Sequence, residues 1–583
     1  MSGPWTPLIQ VRRFLASSVT LRFISIIPVL FRRWPWLVLA SLLAVVCALA
    51  QPVTSVTAEV ALQQGADAAK SGDLARAAAI LSAAQAQFPG DARLPVELAG
   101  IAFLQKDYET AKLRLHQARK LGSTDPFVNE FLGTLYLLDG NVEAALVLWN
   151  ASAGPQLAAG QWATGLEGVL QPSLAARALP FPSGSQLSLD TYLRANRVLA
   201  LLDICSQANF LLDAEEGGSY SMSVRCLERP GFGKNIPSSA LMLARGLGYQ
   251  AIHLRHANLG HRAISVTSLF RWDAQKRRAW GAVAMPLQGN PAWRLRLDAD
   301  ARHEHWRMLS PQNRDLQQAF LLRRVEAGIA LAAVLGSRVT WENRLSWSNR
   351  SFTVAAQEVQ SAPGTNLPPV GSAARLDGGA ARLDGGSAIQ YRHSAEADLI
   401  RAPLRRIVTT ISGEASVMRF PGLQRTAGQQ RVRLQTTWDP QAKGRDGRVS
   451  WSLHAGATQG NLPLTELYQI GLERDGAVPL RGHVGTYNGH KGSALYGDRY
   501  AVMNVEVEKQ LIQAGLWHLR LVPFADAGWV RDAAGPYGAR KLQFDAGVQL
   551  VAATASGTEL RLSYGWNFRQ KRSAFYVWSE PFP

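Results

Sequence analysis

At 583 residues the chain is far longer than one ordinary domain, so two or three folding units are expected. The formal net charge is +18, and five arginines (Arg12, Arg13, Arg22, Arg32 and Arg33) stand in the first fifty residues with no acid among them. The other basic residues are scattered along alternating segments rather than gathered into an aromatic-studded stripe, which argues against nucleic acid as a partner. Arg32-Arg33 precede an apolar run from Trp34 to Ala50 that ends in Ala48-Leu49-Ala50, a small-x-small site for a signal peptidase. Residues 1–50 therefore read as a signal peptide, with the mature chain starting at Gln51. The alternative is an uncleaved inner-membrane anchor, against which the run is short. Lipid attachment at Cys47 is disfavoured because Val46, and not a small residue, precedes it. Processing leaves Cys205 and Cys226, which either join in an oxidising compartment or stay as two buried thiols.

Residues 58–160 carry a period of 34. Gly65, Ala99 and Gly133 form one column of small residues and Ala77, Ala111 and Ala145 another. A stacked helical hairpin needs a small residue where its helices cross, while Leu81, Leu115 and Trp149 are suited to fill the interface. With Gly72 and Gly140 at turns and Asp107-Tyr108 and Pro89 in place, the segment resembles three tetratricopeptide repeats. Such repeats imply either a docking surface for protein partners or a spacer in which every small residue serves packing.

Residues 165–232 combine a helical stretch from Leu187 to Leu202, a short apolar run Asn209-Phe210-Leu211-Leu212, and an alternating run from Ser219 to Leu227. In the last, Tyr220, Met222, Val224 and Cys226 share one face, which predicts a strand with one side against a helix. Order and position make this a small α+β module.

From about residue 236 to 583 the period is two. Trp293, Leu295, Leu297 and Ala299 alternate with Arg294, Arg296, Asp298 and Asp300; Val449 to Ala457 alternate likewise, as do Met503, Val505 and Val507 with Asn504, Glu506 and Glu508. A face of Arg and Asp belongs in water, because each Arg at mid-depth on lipid costs roughly 2–4 kcal/mol. Lipid outside and a polar lumen inside satisfy both faces of such strands. The 17 Trp residues suit the aromatic girdles of a membrane barrel, and the length accommodates about sixteen antiparallel strands. Ser361 to Gly386 is rich in Pro, Gly and Ala and holds a tandem copy, Ala373–Gly379 and Ala380–Gly386, which reads as a mobile surface loop, with a periplasmic turn as the alternative.

Between two of these strands stand Leu480, Arg481, Gly482 and His483, followed by Gly497-Asp498-Arg499-Tyr500 and later by Leu521 to Gly528. This order resembles the bacterial surface antigen outer-membrane barrel superfamily, which includes the BamA/TamA-like assembly barrels and the two-partner secretion barrels. In that superfamily an aliphatic-Arg-Gly-aromatic motif at the tip of a long loop folds back into the lumen and meets an acidic wall. The resemblance implies that role for Arg481 and Gly482, with His483 standing where the family has an aromatic residue, and with Glu506 and Glu508 as candidate acidic partners. It also makes the 165–232 module similar to a POTRA domain, which offers a strand edge to clients. The expected protein is multidomain: an N-terminal all-α repeat array, one α+β POTRA-like module in the periplasm, and a C-terminal transmembrane antiparallel β-barrel.

The implied function is to insert client proteins into the outer membrane or to pass them across it, without catalysis or cofactor. Expected partners are outer-membrane lipid, client or secreted polypeptides, and periplasmic proteins held by the repeats. A passive channel and a membrane-anchored scaffold are the alternatives. His303 with His305, and His253 with His256 and His261 around one hairpin, have metal-ligand chemistry, but the pair on one strand lacks a third ligand and a supporting shell and barrel rims collect polar aromatics, so no metal site is assigned.

Overall fold

The computed structural model describes residues 57 to 579 apart from 153–156, 163–165, 167, 182–183, 215–218, 230–246, 248–249, 312–313, 355–382, 441–446, 474–477, 515–516, 533–536 and 555–558. The expected signal peptide and most of the tandem copy lie outside the described residues. The chain divides into two compact units after Leu121.

In the first unit the helices are α1 (Ala58–Lys70), α2 (Leu74–Gln87), α3 (Arg93–Leu104) and α4 (Tyr108–Lys120). Local chemistry starts them. Thr57, Asp73 and Asp107 each accept a bond from the amide three residues on, that of Val60, Arg76 or Thr110, and so satisfy an otherwise orphaned donor. Where α1 crosses α2, Gly65 lies against Leu81, and a Cβ at that glycine would come within 2.7 Å of Leu81 Cγ. Ala77, Ala99 and Ala111 are fully buried.

The turn after α3 needs a left-handed residue, and Lys106 supplies it at φ 62°, where the other positions of its 34-residue column, Gly72 and Gly140, hold φ 85° and 72°. A side chain in that region costs about 1–2 kcal/mol, and glycine gives back part of it in unfolded-state entropy. Lys106→Gly is therefore expected to stabilise the helical unit by about 0.5–1 kcal/mol, read from the urea midpoint of the helical circular dichroism signal.

The second unit opens with α5 (Pro126–Leu138) and α6 (Val142–Trp149). Gly133 backs directly onto the Trp149 indole, whose Nε1 donates to the Glu130 carbonyl at 3.0 Å. Next come β1 (Leu157–Trp162), α7 (Pro172–Ala178), α8 (Leu189–Leu202), β2 (Cys205–Ala214) and β3 (Tyr220–Glu228), with the three strands in the order β1-β3-β2. β1 runs parallel to β3 and β2 antiparallel to it. Met222 and Val224 are buried as their alternation requires, and Phe210 of β2 packs on Tyr192 of α8 with ring centroids 5.0 Å apart.

Cys205 and Cys226 are joined as a disulfide across β2 and β3, with Cα atoms 5.5 Å apart. The bond closes a sequence separation of 21 residues. Breaking it by Cys226→Ser is expected to destabilise this sheet by about 3 kcal/mol, visible as earlier proteolysis between α8 and β3 under oxidising conditions but not under reducing ones.

The rest of the unit is a closed barrel. Its wall runs through β4 (Ala251–Leu259), β5 (Ile264–Trp272), β6 (Lys276–Leu287), β7 (Asn290–Leu309), β8 (Leu316–Leu335), β9 (Val339–Val354), β10 (Gly386–Ala402), β11 (Ile407–Phe420), β12 (Arg425–Trp438), β13 (Gly447–Gln459), β18 (Arg499–Ala514), β19 (Trp517–Arg531), β20 (Ala539–Thr554), β21 (Glu559–Asn567) and β22 (Arg572–Ser579). Fifteen wall strands are thus present among the described residues, against the expectation of about sixteen from length.

Parity sets the two faces. Leu297, Val325, Ile329, Leu345 and Trp347 face outward and are exposed, an apolar belt of the kind that meets lipid. Asp298 and Asp300 face the lumen, where Arg344 donates to Asp298 at 2.6 Å and Arg278 holds Asp300 at 2.9–3.0 Å. The short turns at one end receive the small α/β module. Arg177 of α7 donates to the Gly289 carbonyl, the Gln171 amide to the His261 carbonyl, and Arg197 of α8 to the Ser337 carbonyl and to Asp398. At the other end β9 stops at Val354 and β10 starts at Gly386.

Candidate functional site: a loop folded into the barrel lumen

Residues 460–498 connect β13 to β18, and the described ones among them run inside the barrel instead of leaving it. The segment carries its own short strands: β14 (Tyr468–Ile470) pairs with β17 (Leu495–Gly497), and β15 (Thr486–Tyr487) with β16 (His490–Lys491), which also bridges to Trp306 of β7. Such backbone is tolerated there because protein surrounds it.

Arg481 is its firmest anchor. The side chain is 2% exposed. Its Nε and Nη2 donate to the two oxygens of Asp526 at 3.0 and 2.6 Å, its own main-chain amide donates to Asp526 at 2.9 Å, and Nη1 donates to Glu506. The guanidinium lies 3.8 Å from the ring centroid of Phe524. A planar cation fits here because two donors match a carboxylate while the flat face stacks on the ring. Asp526 is oriented in turn by Asn504, whose amide reaches it at 2.8 Å and also donates to the Pro479 carbonyl.

The neighbouring residues extend the clamp along the wall. The Gly482 amide donates to Asp545 at 2.5 Å, and a Cβ at Gly482 would fall 2.6 Å from the Asp545 carboxyl carbon. Only glycine permits that approach. His483 is buried and places Nδ1 3.2 Å from Asp545, so the imidazole fills the space expected for an aromatic ring and adds a polar bond. Asp545 is steadied by Asn567 at 2.6 Å. Leu480 is fully buried among Tyr468, Ile470, Tyr500 and Val502. The four motif residues thus lie across β18, β19, β20 and β21, with the Arg481 carbonyl against Gly565.

One expected partner is placed elsewhere. Glu508 does not reach Arg481 but accepts from Arg520 at 2.9 Å, because it lies one inward position further along β18, away from the loop tip. A carboxylate absent from the expected set, Asp526, fills the role expected of Glu508, and a second, Asp545, meets Gly482 and His483 instead. Asp526 shares the lumen parity of Val522, Phe524 and Gly528, and that parity is the signal that could have found it.

Two further anchors carry no sequence signal at all. Glu466 accepts from Arg324 at 2.9 Å and from Arg350 at 2.7 Å on β8 and β9, and Lys491 donates to Glu304 of β7 at 2.8 Å. The loop is therefore held on opposite sides of the lumen. Below it a polar chamber of about 750 Å³ is bounded by Val478 and Tyr500 on the loop side and by Arg197, Leu201 and Asp203 of the α8 end on the other.

Of the histidines weighed as metal ligands, His303 and His305 stack edge-on at 5.7 Å, and His261 caps the Val169 carbonyl at 3.1 Å. Among the described residues no group of three or more His, Cys, Asp or Glu is arranged to hold a metal.

A closed antiparallel barrel with a long loop folded inward and clamped through Arg-Gly defines a class of outer-membrane barrel. Residues 424–576 match the Omp85 superfamily domain, so this part of the barrel is similar to that superfamily. Among solved structures, BamA from Haemophilus ducreyi lacking POTRA domains 1-3 is similar at 12% identity and TM-score 0.40, over 74% of this chain and 85% of that one. CdiB from Escherichia coli is similar at 12% identity and TM-score 0.45, over 73% of this chain and 74% of that one. No curated protein matches the chain by sequence.

Proposed function

We propose that the protein inserts client polypeptides into the outer membrane or moves them across it, and that its N-terminal hairpins and the β1–β3 module stand in the periplasm and receive clients or partners. The observation that carries this reading is the lumen loop clamped by Arg481 to Asp526 and Glu506 within the Omp85 domain. Such a loop braces a barrel whose wall must exchange strands without collapsing. The α-helical hairpins are read as three tetratricopeptide-type repeats and the β1–β3 module as POTRA-like. The latter leaves β2 as an edge strand, whose main-chain groups can take up an extended segment of a client. The chemistry required is exchange of backbone hydrogen bonds, since a strand entering lipid must have every amide and carbonyl paired.

A lumen crossed by the loop and approached by α8 weighs against a passive channel. The test is in-cell photocrosslinking from Leu211 on the β2 edge and from Leu113 on α4, both exposed, with captured proteins identified by mass spectrometry. Nascent barrel proteins or a secreted polypeptide are expected. Capture of resident envelope proteins alone would overturn the transport reading in favour of a docking scaffold.

A further inference from the structure

On the outer face of the barrel, five residues lie directly opposite one another across β5 to β9: Trp272, Arg277, His303, Arg323 and Ser351. Parity turns all five away from the lumen, and Arg277 and Arg323 are exposed. Two arginines flanking a histidine on adjacent strands repel one another unless an anion lies among them. None is supplied from within. Among the described residues neither Arg277 nor Arg323 has an acidic partner, the outward positions of β5–β9 hold no Asp or Glu, and His303 Nε2 is a buried nitrogen without a hydrogen bond. The nearest acid in sequence, Asp273, is engaged by the Gln275 amide at 2.7 Å in the β5–β6 turn.

Depth says what meets this row. At the end of the barrel that holds the α/β module, Trp293 and Trp341 form an aromatic pair with centroids 5.7 Å apart on the outer wall. From Trp293 to His303 are ten residues along β7, which at about 3.3 Å per residue and a tilt near 40° climb about 25 Å, the height of the apolar band. The residues between are Leu295, Leu297, Ala299 and Ala301 on the outward face. The basic row therefore sits at the headgroup level of the opposite leaflet. There it borders a groove of about 530 Å³ whose apolar lining includes Phe270, Trp272, Ala279 and Val325.

We propose that this groove is a binding site for a phosphorylated glycolipid of the outer leaflet, its phosphates between Arg277, His303 and Arg323 and an acyl chain along Phe270 and Val325. The proposal rests on the outer-membrane reading for the choice of leaflet. It assigns to the lipid-facing wall a specific headgroup contact in addition to the general apolar belt. Arginine suits the task because its fork meets two phosphate oxygens at once.

The test is native mass spectrometry of the full-length protein in mild detergent, titrated with diphosphorylated lipid A, with its dephosphorylated form and with phosphatidylglycerol. The wild type is expected to retain diphosphorylated lipid A. The double variant Arg277→Gln/Arg323→Gln should bind it about tenfold or more weakly, while the control Arg262→Gln, which removes a single exposed arginine at a turn on the other end, should leave it unchanged. Equal retention by wild type and double variant, equal binding of the dephosphorylated form, or stronger binding of phosphatidylglycerol would each overturn the site. Both variants should keep the heat-dependent gel mobility of a folded barrel, so that a lost adduct is not a lost fold. A protein that keeps the glycolipid yet crosslinks no client supports this site while overturning the transport reading.

Discussion

Arg481→Ala is expected to free the lumen loop. It removes the donors from Nε and Nη2 to Asp526, the bond to Glu506 and the stacking on Phe524, while the main-chain bond to Asp526 is all that remains. The Asp526 side chain is fully buried. A carboxylate left there with its cation gone costs about 3–5 kcal/mol, a penalty larger than the net worth of the intact pair. The Asn504 amide still donates to Asp526 but carries no charge to balance it, and the loop escapes the cost by leaving the wall, so the expected results are a rise in single-channel conductance of the purified protein and loss of client insertion or export in cells. Arg481→Lys should fall between, because an ammonium replaces one donor of the fork and neither matches both carboxylate oxygens nor stacks flat. A correctly folded Arg481→Ala barrel with wild-type conductance and wild-type client transport would refute the bracing role. Asp526→Asn offers a second reading of the same contact: the amide keeps a hydrogen bond while removing the charge, so its effect should be smaller than that of Arg481→Ala.

The second large effect is expected at the other end of the lumen. Arg197 of α8 donates to Asp398 at 2.7 Å, to the Ser337 carbonyl at 2.9 Å and to Thr340 at 3.1 Å, and Asp398 is also held by Arg401 at 2.8 Å, which in turn grips Glu143 of α6 at 2.8 Å. Asp398 is nearly fully buried. Arg197→Glu would set a second carboxylate against it and replace attraction by repulsion in a poorly solvated place, a loss of about 3–5 kcal/mol. The α8 end should then swing away from the strand turns, and a cysteine placed at Ser412, on the wall of the chamber, should react with a bulky maleimide added from the module side far faster than in the parent. An unchanged labelling rate would show that β7 and β8 contacts alone hold α8 in place. Pairing Arg197→Glu with Asp398→Arg reverses the ion pair and should restore part of the protection, the remainder being lost because Arg401 then faces a second arginine; that partial rescue separates a broken latch from a misfolded module.

Two periods in the amino-acid order carry most of the architecture. Small residues every 34 positions mark helical hairpins, and alternation beyond residue 250 marks strands whose charged face has to point inward, as Asp298 and Asp300 do. These features are legible because they arise from local geometry: a helix crossing admits only a small residue, and a strand turns successive side chains to opposite faces. The motif Leu480 to His483 is legible only by its likeness to a known pattern.

Its partners are another matter. Glu506 and Glu508 stand two apart on the same face of β18, and nothing local distinguishes them; the stagger of the loop tip against the wall gives one to Arg481 and the other to Arg520. Asp526 lies 45 residues beyond Arg481 and Asp545 lies 63 beyond Gly482, while Glu466 and Lys491 meet strands more than 100 residues before them. The union of Cys205 and Cys226 also depends on the β2–β3 register, which sets the two residues on neighbouring strands.

What the sequence by itself determined is therefore the type of each segment and the face each strand turns to lipid, because those follow from spacing over a few residues. The tertiary structure alone decided which charges pair, where the loop is anchored, and that Trp272, Arg277, His303, Arg323 and Ser351 form one row, because barrel closure and strand register bring together residues whose separation along the chain carries no trace of their meeting.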